Sequence, residues 1–337
     1  MKAAKLLAPG HIEVVDEPMV QIAQSTEVLV RVKAVGICGT DLHIFHEGRA
    51  DIDYPLIMGH ELSGIVKEVG NSVHNLKAGD HVVLDPVISC GLCGSCKKGR
   101  FNVCKTVKCF GVHEQGAYCE YIVVDQSKLH KISHDFTFEE AAFVEPFSVA
   151  VNILSRAGIE EANDVVILGA GTIGLCLLQV AKSFNARVLI TDIKNNKLMK
   201  AKELGADYII NSSEESLESA ILRIFPDGEN IIIDAVGTSA LFETTMKLAS
   251  PASTVVVIGF DSKEAKIIPA SITRKELNIV GSRMNCGKFP DTIKLFESGK
   301  VNSKSMISAV YPLDRIQEAF EFSLKNSDKI VKTIIQI

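Results

Sequence analysis

Cys90, Cys93, Cys96 and Cys104 crowd into fifteen residues with the spacing C-x2-C-x2-C-x7-C. Thiolates hold zinc tetrahedrally, and four protein ligands leave no position open for chemistry, so this run is expected to carry a structural zinc that stabilises a protruding loop. Iron–sulfur clusters also accept four cysteines, but at other spacings. A zinc-ribbon nucleic-acid module pairs two separated C-x2-C knuckles, which this run does not do. The chain has nine cysteines in all. An odd count sits badly with a disulfide framework, and in a reducing compartment clustered thiols point to metal.

A second set of ligand types lies earlier. Cys38 falls in Gly36-Ile37-Cys38-Gly39-Thr40-Asp41-Leu42-His43, and Gly59-His60-Glu61 follows, with His60 22 residues beyond Cys38. Thiolate, imidazole and carboxylate are all good zinc ligands, and three protein ligands with one open position make a catalytic site. Zinc in that setting lowers the pKa of a bound hydroxyl, so an alkoxide forms near neutral pH and can expel hydride. Glu145, in Val144-Glu145-Pro146-Phe147, is a fourth candidate, as ligand or as partner of a zinc-bound water. Each residue has an ordinary alternative by itself. A buried cysteine is usually a small hydrophobe, His60 alone reads as a core side chain, and Glu145 could cap the helix after Pro146. Their combination carries the information.

Gly169-Ala170-Gly171-Thr172-Ile173-Gly174 fits G-x-G-x-x-G between a strand and a helix. The first glycine permits the tight turn, the second lets backbone approach a pyrophosphate, and the third lets helix and strand pack closely. The anion then meets free N–H groups at the positive end of the helix. Asp192 ends the next strand 18 residues beyond Gly174, where an acid binds the adenosine ribose. A carboxylate there repels a 2′-phosphate, which favours NAD over NADP; Lys194 and Lys197 follow and soften that preference.

The elements that must position these residues change character along the chain. Up to about Phe143 the signals are short strands and glycine turns: Val28–Val35, with polar residues at 31 and 33 as in a half-buried strand, then Gly64–Gly70 and His81–Pro86. From about Val165 strands and helices alternate. Val165–Leu168 is an apolar run suited to a strand buried on both faces, a helix follows from Thr172 to Phe184, and Val188–Thr191 is the next strand, with a helix ending at Gly205. Ile231–Asp234, Thr254–Ile258 and Leu277–Val280 continue the series. This alternation implies a parallel sheet with helices on both faces. After Phe289 a helix near Asp314–Leu324 and a strand at Lys329–Ile335 are expected to return to the first domain.

A length of 337 residues suits two domains, and 47% hydrophobic residues supply two cores without disulfides. The net charge is −5, and the lysines are scattered rather than gathered into a stripe, which argues against nucleic acid as a partner. The first residues lack the apolar core of a signal peptide, and no run approaches the roughly 18 apolar residues that span a bilayer. A cytoplasmic protein without membrane contact is the expectation.

The sequence resembles the zinc-containing medium-chain dehydrogenase/reductase superfamily along essentially its whole length. Gly59, His60, Glu61, Gly64, Gly70 and Val73 match its signature G-H-E-x2-G-x5-G-x2-V. The resemblance implies an α/β two-domain fold: a GroES-like β-barrel catalytic domain with both zincs (1–148 and 288–337) and a Rossmann doubly wound parallel sheet that binds NAD (149–287), with catalysis between them. It implies that Cys38 and His60 bind the catalytic zinc, that Glu61 and Glu145 are exchangeable or water-mediated partners, and that Thr40 passes the alcohol proton by way of the nicotinamide ribose to His43. Many alcohol dehydrogenases carry a cysteine where this chain has Glu145; the Glu form is similar to the polyol branch. Within it, Asp85–Cys90, Gly111–Gly116 and Gly281–Asn285 look like the sugar-acid 5-dehydrogenases and the starvation-sensing group. Oxidation of L-gulonate to D-fructuronate is then expected, with His113, Arg283 and Asn285 at the substrate and Arg283 also near the cofactor. A neutral polyol (sorbitol or galactitol) or L-threonine dehydrogenase, and a non-catalytic dinucleotide-binding relative, are the alternatives. A homotetramer or homodimer is expected on the same resemblance.

Overall fold

A computed structural model describes residues 1–259 and 261–337. These residues form two compact units, one of Met1–Glu145, Asn285–Glu297 and Ser303–Ile337, the other of Pro146–Met284 and Ser298–Asn302.

The first unit is built from strands. β1 (Lys2–Ala8) and β2 (His11–Asp16) make a hairpin. β3 (Glu27–Gly36) is the spine: it pairs antiparallel with β4 (Glu61–Val69), which pairs with β5 (His81–Leu84). β6 (Val87–Ile88) and β7 (Lys108–Cys109) form a short ladder of their own. β8 (Tyr121–Asp125) returns to β3, and β9 (Leu129–Lys131) to β5. In β3 only Arg31 is exposed, with Glu27 and Lys33 half-buried. The strand is therefore more deeply buried than its polar alternation suggests, because it is flanked on both edges and bent by register shifts at Leu29/Val30 and Val32/Ala34. Three helices decorate this unit at the points that matter here: α1 (Gly39–Glu47), α2 (Gly94–Lys97) and α3 (Phe138–Ala141).

The second unit opens within α4 (Val144–Ala157) and contains a six-stranded parallel sheet. Its strands are β10 (Asp164–Leu168), β11 (Arg187–Asp192), β12 (Tyr208–Asn211), β13 (Ile231–Asp234), β14 (Thr254–Val257) and β15 (Asn278–Gly281), in the order β12-β11-β10-β13-β14-β15. That is a doubly wound sheet whose order reverses beside β10, the place where such sheets bind ligands. Val165, Val166 and Ile167 are fully buried, as helices on both faces require. α5 (Thr172–Ser183) is buried from Gly174 through Ala181, and α6 (Asn195–Glu203) follows β11.

The tail rejoins the first unit. β16 (Ile307–Pro312) and β17 (Lys332–Gln336) pair with each other, and β17 lies against β3 with Gln336 opposite Ala34. A helix over Ile316–Lys325 bridges them. The stretch Ser298–Asn302 departs from the sequence boundaries by lying in the second unit, where the Asn302 N–H donates to Gln179 Oε1 at 2.6 Å. Among the described residues no helix is long and apolar enough to cross a membrane.

Candidate active site

Strand register assembles the first site. Gly36, at the end of β3, faces Glu61, at the start of β4, so the chain leaving one strand runs beside the chain entering the other. Cys38 caps α1 and His60 directly precedes β4. One donor atom from each of Cys38, His60 and Glu61 lies within 4.8 Å of the other two. A Cβ on Gly36 would stand 2.0 Å from Glu61 Oε2, so a glycine there is what makes room for the carboxylate.

Asp41 organises the cluster from behind. It is fully buried, and its Oδ2 accepts the Cys38 N–H at 3.0 Å and lies 3.1 Å from the Tyr118 hydroxyl. Its Oδ1 lies 3.5 Å from His60 Nδ1, and both of those buried atoms lack a hydrogen bond. With Nδ1 turned to an acid, Nε2 is the nitrogen left for a metal, the arrangement that usually backs a ligating histidine. Burial by itself would depress the His60 imidazole, but the charges of Asp41 and Cys38 outweigh it and hold the group well above its ordinary value. A pocket that attracts a proton in this way attracts a divalent cation for the same reason. The sulfur, nitrogen and oxygen donors fit zinc.

The two candidate carboxylates differ. Glu61 Oε1 accepts from Lys332 Nζ at 2.6 Å, and the same ammonium donates to the Ile37 carbonyl at 3.1 Å, all of it buried. Glu145, the second residue of α4, is outside the 4.8 Å group but close enough to feel it. Burial pushes its carboxyl up to about 7, with the His60 charge opposing and the Glu61 charge adding. Thr40 (half-buried) and His43 (exposed) lie three apart on α1, hence on one side of it; His43 Nδ1 is 3.6 Å from Glu47 Oε2.

The loop carrying His113 is fastened to the residue before His60. A Cβ on either Gly111 or Gly116 would stand 2.5 Å from the Gly59 carbonyl, and Ala117 N–H donates to that carbonyl at 2.9 Å. Asn285, the third residue expected at the substrate, is held by its neighbours. It is fully buried, donates its amide to Asp85 Oδ1 at 3.0 Å and accepts the Gly287 N–H at 2.9 Å, so these bonds serve to lock the chain where it re-enters the first unit. Arg283 belongs to the second unit, where it is exposed and its carbonyl accepts from Asn152 Nδ2 at 3.3 Å.

The four-cysteine lobe is self-contained. Its donor sulfurs all lie within 4.8 Å of one another. The separations are 3.4 Å for Cys90–Cys104, 3.5 Å for Cys93–Cys96 and 3.9 Å for Cys93–Cys104. Four sulfurs about 2.3 Å from a zinc would be about 3.8 Å apart, whereas a disulfide needs about 2.05 Å. Backbone N–H groups aim at the sulfurs: Cys90 N to Cys104 Sγ at 3.3 Å, Cys93 N to Cys90 Sγ and Thr106 N to Cys104 Sγ both at 3.4 Å. Such donors lower Cys93 to about 6 and Cys104 to about 7, while burial and its thiol neighbours push Cys96 up to about 11.

In the second unit the glycine turn joins β10 to α5. Gly171 caps the helix with open space above it, Thr172 and Ile173 are half-buried, and a Cβ on Gly174 would stand 2.0 Å from the Gly169 carbonyl. Asp192, the last residue of the neighbouring β11, accepts the Ala170 N–H on Oδ2 at 2.9 Å and the Lys194 N–H on Oδ1 at 3.0 Å. Its carboxylate therefore stands directly beside the turn. Lys197 sits half-buried in the first turn of α6.

Known proteins place this chain. Residues 24–134 match the alcohol dehydrogenase GroES-like domain and residues 172–298 match the zinc-binding dehydrogenase family. The starvation-sensing protein RspB of Escherichia coli strain K12 is 35% identical, with 99% of each chain covered. Sorbitol dehydrogenase of Bacillus subtilis is 32% identical over 99% of this chain and 97% of its own. L-idonate 5-dehydrogenase of Vitis vinifera is 33% identical over 90% and 86%. A crystal structure of the rspB alcohol dehydrogenase of E. coli CFT073, complexed with the cofactor NADH, superposes with a TM-score of 0.94 at 34% identity, covering 100% of this chain and 99% of that one. Similar to these enzymes over nearly its whole length and folded as they are, the chain belongs to the zinc-binding alcohol dehydrogenases, in the branch that acts on polyols and sugars.

Proposed function

We propose that the chain oxidises a secondary hydroxyl of a sugar acid with NAD+ as hydride acceptor, L-gulonate to D-fructuronate being the reaction in view. The observation that carries this reading is the convergence of Cys38, His60 and Glu61 within 4.8 Å. Three protein donors leave a metal room for an alcohol oxygen, whereas the four-sulfur lobe leaves none.

Cys38 and His60 would hold the catalytic zinc with Glu61 and Glu145 as its carboxylate partners, and Cys90, Cys93, Cys96 and Cys104 would hold the structural zinc. The catalytic zinc supplies Lewis acidity that lowers the pKa of the substrate hydroxyl. Asp41 fixes the His60 ring, and Lys332 neutralises Glu61 so that the buried site does not carry an unbalanced charge. Thr40 takes the proton released by the alcohol, and His43 delivers it to solvent. When bound, NAD+ would accept the hydride of the carbinol carbon, so the products would be the keto acid, NADH and one proton. Gly169, Gly171, Thr172, Ile173 and Gly174 receive the pyrophosphate, Asp192 the adenosine ribose, and Lys197 and Arg283 complete the dinucleotide contacts. His113 and Arg283 face the substrate. The similarity to an NADH-bound relative and to an L-idonate 5-dehydrogenase supports this reading. We further propose a homotetramer or homodimer in the cytoplasm, checked by light scattering and cell fractionation.

The similarity to sorbitol dehydrogenase favours one rival, a neutral polyol as substrate. Following NAD+ reduction by the purified protein with aldonic acids and their matched polyols decides between them. Turnover of L-gulonate or a close epimer well above sorbitol is expected. Sorbitol alone would select the rival, and turnover of neither would end the sugar-acid and the neutral-polyol readings alike.

A further inference from the structure

Beside the zinc residues, Arg49, Asp51 and His113 form a carboxylate-binding arrangement, of which the reaction as derived uses only His113. The Arg49 guanidinium grips Asp51 with two bonds, Nε to Oδ1 at 2.9 Å and Nη2 to Oδ2 at 2.5 Å. His113 Nε2 lies 3.6 Å from the same Oδ2. The Cys109 N–H donates to His113 Nδ1 at 3.1 Å, so in the neutral ring the proton sits on Nε2, and that nitrogen is a donor aimed at the carboxylate. Burial and the Arg49 charge hold His113 below its ordinary value, against the pull of Asp51.

The location ties this group to the active site. Gly111 packs on Gly59, next to His60, and the Cys109 thiol is close enough for the charges of His60, Glu145, Asp41 and Cys38 to act on it. Asp51 is 56% exposed and Arg49 30%. An ion pair so open to water holds its acid weakly, whereas a bidentate guanidinium recognises any carboxylate of the right shape. Lys108, a further charge that acts on His113, is paired with Glu114 at 2.6 Å.

We infer that Arg49 and His113 form the subsite for the substrate's carboxylate, and that Asp51 occupies it as an internal counter-ion until a sugar acid displaces it. This rests on the proposed sugar-acid chemistry and names the groups that select it over a neutral polyol.

The test compares kcat/KM for L-gulonate and sorbitol in the zinc-loaded enzyme and in the variants Arg49→Gln and Asp51→Asn, with NADH binding followed by fluorescence as a check of folding. Arg49→Gln is expected to lower the gulonate-to-sorbitol ratio about 10- to 100-fold, mainly through the KM for gulonate. Asp51→Asn is expected to move the ratio the other way, raising it a few-fold as the guanidinium is freed. A loop brace with no ligand predicts instead that Asp51→Asn lowers kcat/KM for both compounds and leaves their ratio unchanged. A wild-type enzyme that prefers gulonate while neither variant shifts the ratio overturns the subsite alone. A wild-type enzyme that oxidises sorbitol only, or neither compound, overturns the sugar-acid reading and the subsite with it.

Discussion

The four-cysteine lobe and the Cys38–His60–Glu61 cluster lie in the same unit, yet they are supported in opposite ways. The lobe draws all its donors from fifteen consecutive residues, and backbone N–H groups of Cys90, Cys93 and Thr106 steady its sulfurs. The other cluster joins the ends of β3 and β4, and side chains steady it: Asp41 from α1, Tyr118 from beyond the Gly111–Gly116 loop, and Lys332 from β17. A site held by local backbone saturates its metal and can form with little else. A site held by distant side chains depends on the whole unit, and in the proposed reading it is the one that keeps a metal position for substrate.

The largest effect expected from this contrast is at Cys38. Cys38→Ser should lower turnover by about 10³- to 10⁴-fold, since the metal's charge stabilisation is worth several kcal/mol, and zinc content should fall from two to one per chain while NADH still binds. Loss of NADH binding together with turnover would mean that Cys38 is structural. Next comes Lys332→Met, which strands the buried Glu61 carboxylate and should destabilise the protein by about 3–5 kcal/mol. Thermal melts should show most of that recovered when Glu61→Gln is added; a double variant no better than the single would break the proposed support. Asp41→Ala should weaken zinc at the catalytic site by about 10- to 100-fold in chelator competition and leave the lobe's zinc in place. Equal loss from both sites would erase the distinction between them. The smallest effect belongs to the lobe: Cys104→Ser should speed protease cleavage within residues 90–108 by about tenfold, a local opening, with the Cys38 site still able to bind zinc.

The same contrast explains how much could be seen beforehand. The lobe was legible because its geometry is written into consecutive spacing, and the glycine turn because strand, turn and helix adjoin in sequence. Cys38, His60 and Glu61 were legible as residue types, but their convergence depends on the Gly36–Glu61 register, which no local pattern encodes. Lys332 was missed because it stands 271 residues from Glu61; its one signal is a lysine leading the apolar strand Thr333-Ile334-Ile335. Asp41 left a clearer trace, an acid three residues into a helix that Cys38 starts. The bond from the Asn285 amide to Asp85 joins residues 200 apart, and no local pattern encodes it. β12 was overlooked because Tyr208–Asn211 is four residues long and lies at the sheet edge.

Zinc-edge X-ray absorption on the purified protein, together with its metal content, tests the central assignment most directly. Two zincs per chain should share five sulfur ligands, an average of about 2.5 per ion, with nitrogen and oxygen donors making up the rest. Cys38→Ser should leave a single ion surrounded by four sulfurs. A wild-type protein that binds one zinc with sulfur ligands only would show that Cys38, His60 and Glu61 hold no metal.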